Sequence, residues 1–234
     1  MSGHSKWHNI QKTKGAADAK KAKIFTKYAR EMAIAIKEGG GADPNSNSKL
    51  AAVISRAKSE NVPNDNIKRT LDKYKSGAAT ENYEHVTYEG YGPGGVAVLV
   101  DALTDNKNRT VAEVRHYLDK YGKGMGASGC VSWQFDKKGV IVINGEDLDE
   151  ETVMMQALEA GAADFQVDEN IFEVYTDPDD FDTVKEALKA EGLEFLEAEI
   201  QMVPQTYTAL TNEDDIKNME KMLEVMEQND DIQD

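Results

Sequence analysis

The first thirty residues of the chain carry a dense set of cations. Eight lysines and arginines stand there against one acid, Asp18, and the aromatic residues Trp7, Phe25 and Tyr28 are interleaved with them. Cations neutralise phosphates and release the condensed counterions of a nucleic acid, and exposed aromatic rings can stack on bases. We therefore predict a nucleic-acid-binding region, with a merely soluble basic tail as the alternative. The predicted contacts are Lys6, Lys12, Lys14, Lys20, Lys21, Lys23, Lys27 and Arg30.

A second polar cluster lies between a predicted strand and a predicted helix. It comprises Asn106, Lys107, Asn108 and Arg109, followed by Thr110. The free backbone N–H groups at the start of a helix favour anions, so this turn could hold a phosphate. The alternative is a helix N-cap with two solvated cations, and the residue pattern does not decide between the two. Lys107 and Arg109 are carried forward as candidate nucleic-acid contacts.

The segment Gly124–Gly129 matches the pattern G-x-G-x-x-G. In dinucleotide-binding domains this pattern follows a strand and opens a helix, whose N-terminus holds the pyrophosphate. Here it follows the helix that we predict to end near Tyr121, and it precedes a strand that we predict from Cys130 to Phe135. A flexible connector or binding loop is therefore favoured over a cofactor loop, and no cofactor is predicted.

The cysteine and histidines offer no convincing catalytic or metal set. His4 and His8 form an i, i+4 pair, but they lie in a segment that is not confidently helical, and Cys130 is the only cysteine. Structural zinc is disfavoured with so few sulfur and nitrogen ligands. A nucleophilic pair of Cys130 with a histidine such as His116 is conceivable, yet the cysteine lies in an apolar strand pattern that favours core packing. We predict that the protein is not an enzyme and has no small-molecule substrate.

Charge is distributed very unevenly along the chain. The net charge is −16, but residues 1–75 hold 16 Lys/Arg against 7 Asp/Glu, whereas residues 136–203 hold 20 acids against 4 bases. A chain average hides such polarity. It indicates a basic region suited to phosphates and an acidic region kept away from them, which is a candidate contact for the ribosome or the transcription machinery.

The apolar pattern of the basic region predicts three helices. Residues 1–22 have little to bury and are expected to form a mobile basic arm. An apolar stripe that includes Phe25 and Tyr28 predicts a helix from Lys23 to Glu38, and the helical core is favoured over base stacking for these two rings. Second and third helices are expected from about Asn47 to Glu60 and after Asn64, which is the predicted N-cap.

Beyond Gly77 the apolar period shortens towards two, which predicts strands. Residues 138–203 read as strand, helix, strand, strand, helix, strand, the order of ferredoxin-like folds, and Asp177-Pro178 is expected to open the second of these helices. We predict an α+β protein with an N-terminal helical domain and two α/β domains of ferredoxin-like topology. The predicted domains are 1–78, 79–134 together with 204–234, and an inserted acidic domain at 135–203.

The composition of the chain indicates the cellular compartment in which the protein works. A single cysteine and nine methionines fit a reducing environment, and no apolar stretch approaches the roughly 18–20 residues of a membrane span. A cytoplasmic location without membrane contact is expected.

Several motifs together resemble the YebC/PmpR family, which includes the mitochondrial translational activator of cytochrome c oxidase. The resemblance covers nearly the whole chain, and it implies a three-domain α/β protein without enzymatic activity. The motifs are Gly3-His4-Ser5-Lys6-Trp7, Lys23-Ile24-Phe25-Thr26-Lys27, Gly39-Gly40-Gly41, Pro63-Asn64-Asp65-Asn66-Ile67, Glu89-Gly90-Tyr91-Gly92-Pro93-Gly94-Gly95, and residues 104–110.

The resemblance leaves the target nucleic acid open. Members have been described as DNA-binding transcriptional regulators, and others as ribosome-associated factors that relieve stalling on proline-rich stretches. Family members often carry extra arginine where this chain has Ser48-Lys49-Leu50-Ala51, so we place the expected footprint on the arm and first helix. We predict a DNA-binding transcriptional regulator, with a translation factor on ribosomal RNA as the alternative. No helix-turn-helix signature with base-reading side chains is evident in the sequence.

Overall fold

The first helix begins seven residues before the predicted start. The structure, a computed structural model, describes residues 16–234, with side chains from residue 22 onward, and helix α1 spans Ala16–Glu38. Residues 16–22, which we expected to belong to a mobile arm, are therefore helical, because alanine and lysine are good helix formers. The described residues divide into two compact units, formed by residues 16–131 with 210–234 and by residues 132–209.

The first unit contains a helical bundle and a three-stranded sheet of order β2-β1-β3. We call α1, α2 and α3 the helical bundle, and β1–β3 with α4 and α7 the central sheet. The remaining elements of the unit are α2 (Ser48–Ser59), α3 (Asn64–Lys75), β1 (Glu84–Tyr91), β2 (Ala97–Thr104), α4 (Lys107–Tyr121), β3 (Gly124–Met125) and α7 (Glu213–Glu227).

Asn47 sets the corner between α1 and α2. Its buried side chain accepts a hydrogen bond from the Leu50 N–H at 3.0 Å and donates to the carbonyl oxygens of Ala35 and Gly41 at 2.9 and 2.8 Å. A side chain at Gly39 would collide with it. The triple-glycine turn therefore lets the N-cap of α2 approach the end of α1 closely.

The turn between α2 and α3 has four residues, 60–63. Within it Asn61 adopts a left-handed conformation with φ of 59°, and the side chain of Val62 is 5% exposed. The predicted N-cap role of Asn64 is wrong, since Asn64 is the first residue of α3 and Pro63 stands in the cap position without a side-chain bond. With Pro63 in the extended conformation that proline favours, at ψ of 139°, the helix starts one residue earlier than an Asn64 cap would start it.

Each part of the first unit has its own apolar core. The bundle core includes Met32, Leu50 and Ala57, whereas the core of the central sheet includes Val114 and Met222. Strands β1 and β2 pair antiparallel along their full length. Apolar residues of both strands pack with those of α4 and α7 in the core of the central sheet.

The second unit is a four-stranded antiparallel sheet of order β5-β6-β4-β7, with both helices on one face. The strand, helix, strand, strand, helix, strand order confirms the ferredoxin-like prediction. Val184 and Leu188 of α6 pack with Ile141 and Ile143 of β4 in its core. The elements are β4 (Phe135–Asn144), α5 (Glu150–Ala160), β5 (Asp164–Asp168), β6 (Ile171–Thr176), α6 (Phe181–Ala190) and β7 (Phe195–Pro204).

Two boundaries in this part of the chain were predicted wrongly. Asp177-Pro178 does not open α6, because the Asp180 N–H bonds to the Asp177 carbonyl oxygen in a turn and the helix begins only at Phe181, whose side chain is buried. The predicted strand from Cys130 to Phe135 is also absent. A short 3₁₀ turn at Ser132–Gln134 occupies the middle of it, and β4 starts at Phe135. The α+β class is confirmed, whereas the division into three domains stays a prediction.

Candidate nucleic-acid interface

The structure describes the side chains of only some of the predicted contacts in the basic region. Lys6, Lys12 and Lys14 lie outside the described residues. Lys20 and Lys21 belong to the backbone of α1, but their side chains lie outside the described part of the chain. The arm therefore stays a prediction, and the geometry of the interface rests on residues from 22 onward.

Arg30 is engaged inside the protein. Its Nη1 donates to the carbonyl oxygens of Leu103 and Asp230, both at 2.7 Å, and to the Asp231 carboxylate at 2.9 Å. The guanidinium also lies over the Tyr83 ring, 5.1 Å from its centroid, and only 12% of the side chain is exposed. A cation this well satisfied is a poor contact for an external phosphate.

Lys23 and Lys27 lie on the same helix and are half-buried. Lys23 Nζ donates to the carbonyl oxygen of Glu227, the last residue of α7, at 3.3 Å. A cation at the C-terminus of a helix complements the helix dipole. This lysine therefore also contributes to packing of α1 beside α7.

The turn after β2 has the geometry of an N-cap. Asn106 Oδ1 accepts a hydrogen bond from the Arg109 N–H at 3.1 Å, and the side chains of residues 105–109 are exposed, while Thr110 is buried. Lys107 pairs with Glu84 at 2.8 Å. Both predicted features, the cap and the two cations, are present, yet carboxylates already pair with the cations.

Arg109 meets two carboxylates at this turn. Its Nη2 lies 2.6 Å from Asp231 Oδ2 and 3.0 Å from Asp105 Oδ1, and 43% of the side chain is exposed. Hydrogen bonds from Arg109 to Asp231 and Asp105 raise the pKa of the guanidinium, so it stays charged at any working pH. A phosphate would have to displace one of these partners.

Asp231 is the centre of this network. Its Oδ2 accepts hydrogen bonds from Arg109 and from the hydroxyls of Thr110 at 2.8 Å and Thr104 at 3.1 Å, whereas its Oδ1 accepts from Arg30, and its side chain is 4% exposed. Burial raises the pKa of the carboxyl, but hydrogen bonds from Arg109 and Thr110 and the charge of Arg30 outweigh it and hold the pKa below its usual value. No local pattern in the sequence indicates this residue, because the partners of its side chain lie more than a hundred positions away.

A cleft of about 620 Å³ opens beside this network. Four carboxylates and two guanidinium groups line it, so its charge is unfavourable for a phosphate backbone. The charged lining residues are Asp105, Glu113, Asp230, Asp231, Arg30 and Arg109.

The outer surface of the bundle offers cations that the prediction omitted. Lys58 at the end of α2, with Lys68, Arg69 and Lys75 on α3, are exposed and make no ion pair or side-chain hydrogen bond with any described residue. Other bundle cations are paired, as Arg56 is with Glu31 at 3.0 Å. These four lie off the apolar stripes of their helices, which is the sequence signal by which they could have been found.

The glycine-rich loop is anchored by one buried carboxylate. Glu89 accepts hydrogen bonds from the N–H groups of Gly129 at 2.6 Å and Val131 at 2.8 Å, and the Glu89 carbonyl oxygen accepts from the Gly126 N–H. At the start of the predicted strand from Cys130 to Phe135, the Val131 amide therefore bonds to Glu89 and not to a neighbouring strand. The loop runs from α4 into a 3₁₀ turn, and Cys130 is half-buried within it.

Within residues 16–234, no three His, Cys, Asp or Glu side chains are grouped so that they could hold a metal ion. In the same range no helix is both long and apolar enough to span a membrane.

The fold and this surface define an α+β protein with a basic helical bundle joined to a central sheet, and a separate acidic ferredoxin-like unit. Two models of known protein domains together match nearly the whole chain. The model of the TACO1/YebC N-terminal domain matches residues 5–77, and that of the TACO1/YebC second and third domains matches residues 83–234. The chain belongs to the TACO1/YebC family.

Similar proteins are found in several bacteria. A probable transcriptional regulatory protein of Ruminiclostridium cellulolyticum is 57% identical over 97% of this chain and 92% of the relative. A protein of the same description from Clostridium botulinum strain Okra is 55% identical over 100% of this chain and 94% of the relative. The crystal structure of a conserved hypothetical protein from Aquifex aeolicus superposes with a TM-score of 0.81 at 40% identity, covering 96% of this chain and 92% of that one.

Proposed function

We propose that the protein is a nucleic-acid-binding regulator whose contact surface is the helical bundle with the basic arm. The observation that carries the proposal is the set of four exposed bundle cations without described partners, Lys58, Lys68, Arg69 and Lys75. Unpaired cations cost little to bring against phosphates, because no internal ion pair has to be broken first. The arm lysines would extend this surface, whereas Arg30 and Arg109 serve mainly to hold the fold.

Duplex DNA is the target that the bundle favours. Helices α2 and α3 are joined by a four-residue turn with Asn61 in the left-handed region. Exposed residues in the first half of α3, among them Asn64, Lys68 and Arg69, are types that read base edges in a major groove.

Ribosomal RNA is the second candidate. The exposed surface of α3 also carries Asp65 and Asp72, which weaken a close approach to phosphates along the whole helix. A surface of mixed charge with a few cations suits shape-based contacts to RNA better than a sequence-specific footprint does. On this alternative the protein is a ribosome-associated translation factor, and the acidic unit contacts protein partners in either case.

We propose no catalytic role. Among described residues His116 lines a shallow depression of about 420 Å³ together with Val111, Ala112, Arg115 and Asp119, and no serine, threonine, cysteine or lysine belongs to that lining. The reactive groups that an active site requires are therefore not assembled around this histidine. A cytoplasmic location is proposed with the regulatory function.

Binding to DNA and to ribosomes can be compared directly with the full chain. The first assay is fluorescence anisotropy with mixed-sequence duplex DNA, and the second is co-sedimentation with ribosomes, both at matched salt. The variant replaces Lys12, Lys14, Lys20 and Lys21 with alanine, and the matched control replaces Lys217 and Lys221 of α7. We expect binding to duplex DNA that the arm variant weakens and the control does not. Ribosome co-sedimentation without DNA binding would support the alternative, and binding to neither would refute the proposed function.

A further inference from the structure

The helical bundle and the central sheet share no apolar core. The buried apolar residues of the bundle form one cluster and those of the central sheet form another, and no described residue belongs to both. Interfaces without a shared apolar core allow relative motion unless specific contacts prevent it. The polar contacts at this junction therefore decide whether the bundle has a fixed orientation.

Residues 229–234 add an edge to the central sheet. The N–H groups of Asp101 and Leu103 donate to the carbonyl oxygens of Asp234 and Asp231 at 2.8 and 2.7 Å, and the Gln233 N–H donates to the Asp101 carbonyl oxygen at 2.8 Å. Ile232 is 4% exposed and belongs to the core of the central sheet. This short segment is thus firmly attached to β2.

The same segment also holds the bundle. Arg30 of α1 donates to the backbone oxygen of Asp230 and to the carboxylate of Asp231. On the other side of that carboxylate stand Arg109, Thr104 and Thr110, all of the central sheet or its turn. One buried carboxylate therefore bridges α1 to β2 and α4.

We propose that residues 229–234 act as a latch that fixes the orientation of the helical bundle on the central sheet, with the Arg30–Asp231 pair as its attachment point. The attachment uses two directional hydrogen bonds from one guanidinium, which resist rotation better than a single contact does. Lys23, bound to the end of α7, flanks the attachment on the same face of α1. The inference goes beyond the proposed function, because it concerns the protein without nucleic acid.

Residual dipolar couplings of the full chain test the latch. They report whether two parts of a protein share one alignment tensor, and they need no ligand. The wild type should fit one tensor over the bundle and the central sheet. In Arg30→Gln the attachment is lost, while Asp231 keeps Arg109, Thr104 and Thr110, so the central sheet stays intact. The ratio of the alignment magnitude of the bundle to that of the sheet should then fall from about 1 to about one-half or less.

Two further variants make the outcome decisive. Arg56→Gln is the matched control, since it breaks an ion pair with Glu31 that lies wholly inside the bundle. It should keep one tensor. Asp231→Asn should loosen the bundle less than Arg30→Gln does, because Arg30 keeps the carbonyl oxygens of Leu103 and Asp230. If that variant does not fold, Arg30→Gln alone decides. A single tensor with unchanged orientation in Arg30→Gln would overturn the latch, whatever the nucleic-acid affinity turns out to be.

Discussion

Replacing Asp231 with asparagine tests the network at its centre. Asparagine keeps the size of the side chain but removes the charge that Arg30 and Arg109 meet at 2.9 and 2.6 Å. The NH₂ group of asparagine is itself a hydrogen-bond donor, and it would face the donor groups that surround the Asp231 carboxylate. The matched control is Asp230→Asn, the neighbouring exposed residue, whose side chain makes no ion pair or hydrogen bond with any described residue, while its backbone oxygen accepts from Arg30.

The expected cost follows from burial. Asp231 is 4% exposed and Arg30 12%, so their pair lies in a region of low dielectric, whereas Arg109 at 43% is screened by solvent and contributes less. Removing one partner of a buried pair costs about 3–5 kcal/mol, because the other charge is left uncompensated. Arg30 keeps two carbonyl partners, which places the expectation at the lower end, about 3 kcal/mol.

Thermal unfolding followed by circular dichroism measures this loss. At about 2–4 °C per kcal/mol for a chain of this size, Asp231→Asn should lower the Tm of the first unit by about 6–12 °C. Asp230→Asn should change it by less than about 2 °C. Equal melting of the two variants would refute the reasoning, since it would mean that the buried pair contributes no more than an exposed carboxylate.

The pH dependence of this difference has a definite sign. The pKa of Asp231 is lowered in the folded protein, so its contribution to stability is fully present above the unfolded-state pKa of about 3.9. It is lost as the pH falls through the lower folded-state pKa. The gap in Tm between wild type and Asp231→Asn should therefore be constant from about pH 6 to 8 and should shrink below about pH 4.

Three other substitutions probe separate parts of the account. Arg109→Glu should destabilise the protein by about 1–2 kcal/mol, which is the value of a charge-assisted hydrogen bond reduced for the exposure of the arginine. If the variant instead keeps its stability and binds nucleic acid more weakly, the result favours a phosphate site at this turn. Leu188→Ala should lower the stability of the second unit by about 2–5 kcal/mol in urea unfolding, while the control Leu196→Ala, at a side chain that is 41% exposed, should cost under 1 kcal/mol. Glu89→Gln should speed hydrogen exchange at the Val131 amide about tenfold or more, and unchanged exchange there would show that the carboxylate does not anchor the loop.

Periodicity predicted the parts of the fold that are encoded locally. The apolar stripe of α1 and the alternating runs of the second unit each lie within a dozen or so neighbouring residues, so they place the helices and give the ferredoxin-like order. Errors fell where a tertiary hydrogen bond overrides the local pattern. A strand was predicted from Cys130 to Phe135, but Glu89, about forty positions earlier, accepts hydrogen bonds from the amides of Val131 and of the preceding Gly129.

Charge distribution was predicted better than charge pairing. The basic region and the acidic region are visible in composition, yet the sequence does not tell which cations are already neutralised. Arg30 and Lys58 look equally available in the sequence, whereas the structure engages the first and leaves the second exposed without a described partner. Pairing depends on residues brought together over long separations, as Asp231 and Arg30 are, and no local pattern encodes it.

The salt dependence of nucleic-acid binding tests the central claim most directly. Each phosphate that a cation neutralises contributes about −0.9 to the slope of log K against log salt on duplex DNA and about −0.7 on single strands. Replacing Lys58, Lys68, Arg69 and Lys75 with alanine in the full chain should therefore flatten the slope by about 2–4 units and lower the affinity for all sequences. The Lys217 and Lys221 control should leave the slope unchanged. A four-alanine variant with the slope and affinity of the wild type would contradict the assignment of the helical bundle as the binding surface.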